Sequence, residues 1–251
     1  MRRFIRLFPI VALALNAGSA TAAEVQVAVA ANFAGPVKKL ADLFQQKSGH
    51  KLIVSTGSTG KFYAQIANGA PFDVLLSADD ETPLRLEKEK LVVTGSRFTY
   101  AIGTLVLWSP QAGMVDTVGD VLRKASFKRL AIANPKLAPY GAAAQQAMER
   151  LGVWAPLQGK LVLGENIAQT LQFVTTENAE LGFVAFSQIQ DGDKPPAGSY
   201  WLVPPSMHEP ILQDAALLTR GQGSAAAREF LYFLRSPPAR DLIRASGYTL
   251  P

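Results

Sequence analysis

The chain has 251 residues, of which 48% are hydrophobic and 18% charged, below the quarter or so usual in soluble proteins. That balance excludes disorder as a description of the whole chain, and 20 Gly and 16 Pro without a G-X-Y period exclude a collagen-like or low-complexity class. The complete lack of cysteine removes a disulfide scaffold, a thiolate metal site and a cysteine nucleophile, and the length fits one large or two medium domains.

The formal net charge of +5 has a local origin. Arg2, Arg3 and Arg6 open a stretch in which an apolar run, Leu7 to Leu15, leads to small residues ending at Ala20-Thr21-Ala22. A positive start, a short apolar run and an A-x-A site are the three parts of an export signal. The run is shorter than the roughly 20 residues needed to span a bilayer. Removing residues 1–22 leaves 22 basic against 20 acidic residues, a net +2, so nucleic-acid binding loses its electrostatic motive. The mature protein is expected outside the cytoplasmic membrane.

From residue 23 onward, strand-like and helix-like segments alternate, which predicts an α/β fold with largely parallel sheets. Val25 to Ala31 reads as a strand. Val37, Leu40, Ala41 and Phe44 then give the apolar face of a helix with Pro36 in its first turn and Gly49 at its end. A strand over Lys51 to Ser55, a helix from about Gly60 to Ala67, a turn at Asn68-Gly69 and a strand over Asp73 to Ser77 follow. Thr82-Pro83 caps a helix ending near Lys90. An apolar strand, Ala101 to Trp108, opens a second set: strand Arg129 to Ala133, helix Gly141 to Leu151, strand Leu161 to Leu163, helix Ile167 to Thr175 and strand Leu181 to Phe186. Strand character returns at Ala215 to Leu218 before two helices, Ser224 to Leu234 and Pro238 to Ala245. The pattern predicts two lobes, residues 23–103 with 213–251 and residues 104–212, behind a signal peptide at 1–22.

Conventional catalysis has little to work with. His50 and His208 stand apart, without metal-binding spacing, and read as surface histidines; a G-x-S-x-G elbow is missing. Asp79 and Asp80 could act as a carboxylate pair, yet acids at a helix start need no function, because they favour the positive end of the helix dipole. Gly57-Ser58-Thr59-Gly60-Lys61 resembles a phosphate loop, but Ser55 stands where that motif needs Gly and Phe62 where it needs Ser or Thr. What remains is a small, hydroxyl-bearing link from strand to helix start, where free backbone N–H groups can hold an anion. Asn32, Thr59, Tyr140-Gly141 and Asn166-Ile167 all fall at such links. Ligands of α/β sheets bind beyond the carboxyl ends of strands, so the four links can converge on one anion. Taken singly, each is explained by capping.

The stretches AVAANFAGPV (28–37), STGSTGKFYAQI (55–66), GAPFDVLLSADD (69–80), GSRFTYAIGTLVLWS (95–109), IANPKLAPYG (132–141), GENIAQTLQFV (164–174) and AELGFVAF (179–186) resemble the periplasmic molybdate-binding proteins of ABC importers. The resemblance runs in order from Val25 to Leu250. It implies a two-lobed periplasmic-binding fold with the second lobe inserted in the first and an oxyanion closed between them. Carried over by position, it implies ligand donors at Asn32 through its side chain and backbone N–H, at Ala31 through its backbone, and at the hydroxyls of Thr59 and Ser58. Backbone donors are implied at Tyr140 and Ile167. Where many relatives carry a tyrosine hydroxyl, this chain has Ala185, and the amide of Asn32 is the expected replacement.

The resemblance further implies a transport protein rather than an enzyme, without cofactor or directly bound metal ion. Its ligand is molybdate or tungstate, and it delivers to an inner-membrane permease with its ATPase; a monomer is expected. A receptor for sulfate or another tetrahedral oxyanion is the nearest alternative. An exported metal-dependent hydrolase using Asp79 and Asp80, or the sensing domain of a regulator, are the readings from other classes.

Overall fold

A computed structural model describes residues 22–190, 192 and 194–251. Residues 1–21 of the expected signal peptide lie outside the described residues. The chain begins with β1 (Glu24–Ala30), a single 3-10 turn (Ala31–Phe33), α1 (Ala34–Ser48), β2 (Lys51–Gly57), α2 (Thr59–Ala67), β3 (Val74–Leu76) and α3 (Glu81–Lys88). It continues through β4 (Phe98–Gly103), β5 (Leu105–Ser109), α4 (Val121–Lys124), β6 (Leu130–Ala133), α5 (Pro139–Arg150), α6 (Trp154–Leu157), β7 (Leu161–Gly164), α7 (Ile167–Thr175), β8 (Leu181–Ala185) and α8 (Phe186–Ile189). The last elements are β9 (Ser199–Leu202), β10 (Ile211–Leu217), α9 (Ala225–Leu234) and α10 (Pro237–Ala245).

The strands form two five-stranded sheets, ordered β2-β1-β3-β10-β4 and β7-β6-β8-β5-β9. In each, the first three are parallel, while β10 in one sheet and β5 in the other pair antiparallel with both neighbours. Four strands of five therefore point the same way, and most of the following helices begin at one edge of each sheet. This is the two-lobed α/β architecture expected from the sequence.

The apolar run expected as one strand, Ala101 to Trp108, is broken at Thr104, so that β4 lies in the first sheet and β5 in the second. The expected strand at Ala215 starts four residues earlier, because Gln213 and Asp214 are fully buried polar residues inside it. The edge strand β9 has no counterpart in the sequence reading. The first strand ends at Ala30, since Ala31 already belongs to the 3-10 turn.

Each sheet has its own core. Val25, Val27 and Val29 of β1 pack with Leu40 and Phe44 of α1, and Phe44 meets Phe230 of α9 edge-on at 5.3 Å. Leu105, Leu107, Leu130, Ile132 and Phe183 form the core of the second sheet with the small face of α5. Gly141 allows that face to sit close: a Cβ there would lie 2.1 Å from the Ala133 carbonyl oxygen. The start of α5 is thereby fixed against the carboxyl end of β6.

Candidate oxyanion site

Four helical starts meet where the two sheets face each other. The first residue of α5 is Pro139, which has no N–H, so Tyr140 supplies the first amide donor of that helix. Asn166 caps α7 by accepting the Ala168 and Gln169 N–H groups at 3.0 Å each, leaving the Ile167 N–H at the wall. The 3-10 turn presents Ala31 and Asn32 directly after β1. At the start of α2, Ser58 holds the capping position but makes no capping bond.

Ala31, Asn32, Ser58, Thr59, Tyr140 and Ile167 all line one cavity, together with Ala30, Gly57, Ala78, Ala138, Pro139 and Asn166. No lining side chain carries a charge. The cavity is small, about 10 Å³, at the lower limit for holding a single water. Each helix start contributes about half a positive charge, and unpaired N–H groups point outward from it. Such a site suits a small anion and offers little to an extended organic solute.

The hydroxyls differ. Thr59 Oγ1 accepts the Ala78 N–H at 3.1 Å and lies 3.5 Å from Ser77 Oγ. Ser58 Oγ, on a residue only 3% exposed, has no hydrogen-bond partner among the described residues. Buried hydroxyls are normally satisfied, so Ser58 is the side chain that most needs a ligand. The sequence reading placed Thr59 first and Ser58 as its neighbour; both line the cavity.

Behind the cavity lies a buried polar network that the sequence reading missed. Asn32 Nδ2 donates to Gln213 Oε1 and to Tyr248 Oη, both at 2.9 Å. Gln213 Oε1 also accepts from Tyr100 Oη at 3.1 Å, and Gln213 Nε2 donates to Tyr140 Oη at 3.1 Å. Tyr248 Oη donates to the Asn32 carbonyl at 2.9 Å and accepts from Ser187 Oγ at 2.9 Å. Burial keeps these phenols protonated: Tyr248 is pushed up to about 12, and Tyr100 and Tyr140 are raised well above their ordinary value.

This network corrects one expectation. An amide nitrogen has two hydrogens, and both of those on Asn32 are already committed, so its side chain has none left for an anion. Asn32 can serve through its backbone N–H while its side chain fixes the turn. Ala185 is fully buried and does not line the cavity; its N–H is taken by Gln188 Oε1 at 3.0 Å.

The other candidates fall elsewhere. His50 and His208 are not surface residues: the His50 side chain is 12% exposed and accepts the Ala23 N–H at Nδ1, and His208 is 7% exposed. Neither lines the cavity. Asp79 accepts from the Thr82 N–H, Thr82 Oγ1 and Ser77 Oγ, which anchors the entry to α3. Burial raises its carboxyl above the usual range, against the pull of those bonds. Among the described residues no group of three His, Asp or Glu is placed to hold a metal ion.

The two sides touch around the cavity. The Gly60 N–H donates to the Leu137 carbonyl at 3.0 Å, Lys61 pairs with Glu165, and Ser187 Oγ lies 3.3 Å from the Asn32 carbonyl.

Residues 25–249 match the pattern of the bacterial extracellular solute-binding proteins. The molybdate-binding protein ModA of Azotobacter vinelandii is 55% identical over 242 residues, covering 95% of this chain and 96% of that one. Its counterpart in Rhodobacter capsulatus is 48% identical over 240 residues, 94% of each chain. The solved structure of an Azotobacter vinelandii periplasmic molybdate-binding protein superposes with a TM-score of 0.89 at 40% identity, over 90% of this chain and 99% of that one. This chain belongs to the bacterial extracellular solute-binding protein family, alongside the molybdate-binding proteins.

Proposed function

We propose that this protein captures molybdate between its lobes and presents it to an inner-membrane ABC permease with its ATPase. The observation that carries the reading is Ser58 Oγ, buried without a partner in the wall of an uncharged cavity onto which four helical starts open. The naming of two close relatives as molybdate-binding supports the choice of anion. Donors are the backbone N–H groups of Ala31, Asn32, Tyr140 and Ile167 and the hydroxyls of Ser58 and Thr59. Converging helix ends can offset two negative charges without a buried Lys or Arg.

No carboxylate lines the cavity to accept the proton of hydrogen phosphate, and an unpaired buried group costs about 1 to 3 kcal/mol. Tungstate has the same charge and shape as molybdate and is a second ligand. Sulfate differs in its shorter bonds, so it reaches fewer of the donors at once.

The same reading takes residues 23–103 with 213–251 as one lobe and 104–212 as the other, supported by the break at Thr104 and the return of the chain in β10. It also takes residues 1–22 as a cleaved signal that delivers a monomer to the periplasm. Ligand that binds only the native state raises apparent stability by mass action, about 2.7 kcal/mol at a hundred times Kd. Thermal unfolding should therefore shift upward with molybdate and tungstate and stay unchanged with phosphate. A melting temperature indifferent to molybdate at millimolar concentration would remove the assignment.

A further inference from the structure

The two lobes contribute their donors from opposite sides, and one fully buried side chain joins those sides behind the cavity. Gln213 lies on β10, the strand on which the chain returns from the second sheet, paired with Ala101 of β4. The ladder shifts register between Gln213 and Asp214, and such bulges re-aim side chains near functional sites. Its Oε1 accepts from Asn32 of the first side, and its Nε2 donates to Tyr140 of the second. Asn32 and Tyr140 both line the cavity, whereas Gln213 does not.

Gly103, the last residue before the chain crosses at Thr104, makes room for this junction. A Cβ at Gly103 would stand 2.2 Å from Tyr140 Oη and 2.8 Å from Gln213 Nε2. The bond between Tyr140 and Gln213 thus lies directly over the crossing strand. Glutamine, with an acceptor and a donor on one planar group, matches an amide on one side and a phenol whose oxygen is offered on the other.

We propose that Gln213 is the positioning residue that aligns the Asn32 and Tyr140 backbone donors on one anion. This deepens the oxyanion reading and rests on it. The anion is held by N–H groups whose aim is set by the side chains behind them, and Gln213 sets both with one group. The network therefore belongs to affinity as well as to folding.

The test is Gln213→Glu, a near-isosteric change that leaves acceptors for Asn32 and Tyr100 but places a carboxylate behind the anion. A buried carboxyl titrates well above the ordinary value of about 4.3, and its protonated form can again donate to Tyr140. The groups facing it are the Tyr100, Tyr140 and Tyr248 phenols, all held protonated by burial, and Asp214, whose carboxylate is taken by Arg97 at 2.6 Å and Thr99 at 2.7 Å.

Calorimetric titration with molybdate, at about pH 8.5 and again at about pH 6, is run on wild type and variant together. Wild type should bind equally at both. The variant should bind at least about tenfold more weakly at the higher pH and recover most of that loss at the lower one. A loss independent of pH, or no loss, overturns the positioning role. Heat from neither protein overturns the oxyanion reading itself, and the inference with it. Should Gln213→Glu fail to fold, Tyr140→Phe carries the test: it keeps the backbone donor, removes the partner of Gln213 Nε2, and should weaken molybdate about three- to tenfold. Unchanged affinity there contradicts the proposal.

Discussion

Ser58 and Thr59 are neighbours at one helix start, yet only Thr59 has a partner among the described residues: its Oγ1 accepts the Ala78 N–H at 3.1 Å, while Ser58 Oγ is buried and unpartnered. Both hydroxyls keep a hydrogen for the anion, but they divide the structural task, since Thr59 alone also holds the Ala78 N–H. Ser58→Ala should weaken molybdate binding by about 1.5 to 3 kcal/mol, roughly ten- to a hundredfold, as expected for a lost bond to a charged group. Stability of the ligand-free protein should hold or rise. Thr59→Val should lower unliganded stability by about 1 to 3 kcal/mol, because it strands a buried N–H. Paired calorimetry and denaturant unfolding separate the effects, and equal destabilisation by both changes would contradict the division.

Gly60 marks where the lobes approach through backbone. Its N–H reaches the Leu137 carbonyl at 3.0 Å, and an added Cβ would lie 3.1 Å from that oxygen and 3.2 Å from the Leu137 Cα. Gly60→Val should hold the lobes apart and reduce affinity severalfold, even though valine has the better helix propensity. Small-angle scattering with molybdate checks it: wild type should contract on binding and the variant should contract less.

Lys61 sits in the first turn of α2, where the helix dipole disfavours a positive charge. Its pairing with Glu165 across the cavity rim gives that position a reason: Glu165 lies two residues before Ile167, and its negative charge is offset when the lobes meet. Both side chains are nearly half exposed, so the pair should contribute only about 0.2 to 1 kcal/mol. Lys61→Ala should speed molybdate release about two- to fivefold at low salt, and high salt should erase the difference. Stopped-flow displacement measures it; a salt-independent effect would show that charge pairing is not the cause.

The buried phenols predict an alkaline limit. Tyr248 is pushed up from near 10 to about 12, chiefly by burial, and Tyr100 and Tyr140 are raised as well. A phenol whose folded value exceeds its unfolded value stabilises the fold fully below about pH 10, and this contribution fades as pH rises towards the folded value. Unfolding free energy should therefore fall as pH climbs above about 10, and Tyr248→Phe should flatten that fall. The same arithmetic leaves binding insensitive to these groups near neutral pH.

Much of this was legible in the sequence because it rests on local patterns. Val37, Leu40 and Phe44 at helical spacing, Pro139 opening a helix and Asn166 before an apolar turn each specify their own segment, and all four strand-to-helix links line the cavity. What stayed hidden depends on distant partners. Gln213 and Asp214 look like a break in an apolar run, yet they are fully buried because Asn32, Tyr140, Arg97 and Thr99 reach them from elsewhere in the chain. Likewise, the amide of Asn32 reads as a free donor until Gln213 and Tyr248 take both of its hydrogens. Ala101 to Trp108 reads as one unbroken strand because both sides of Thr104 are apolar, although the expected lobe boundary, 103/104, falls inside it.

The central claim is that an uncharged cavity selects an oxyanion by the size and number of its donors. Competitive calorimetry tests it most directly, with molybdate, tungstate and sulfate titrated into the ligand-free protein at fixed ionic strength. Molybdate and tungstate should bind one per chain with similar affinity, and sulfate should displace them only in excess of about a hundredfold, a difference of about 2.7 kcal/mol or more. Equal competition by sulfate, or no heat with molybdate, would contradict it.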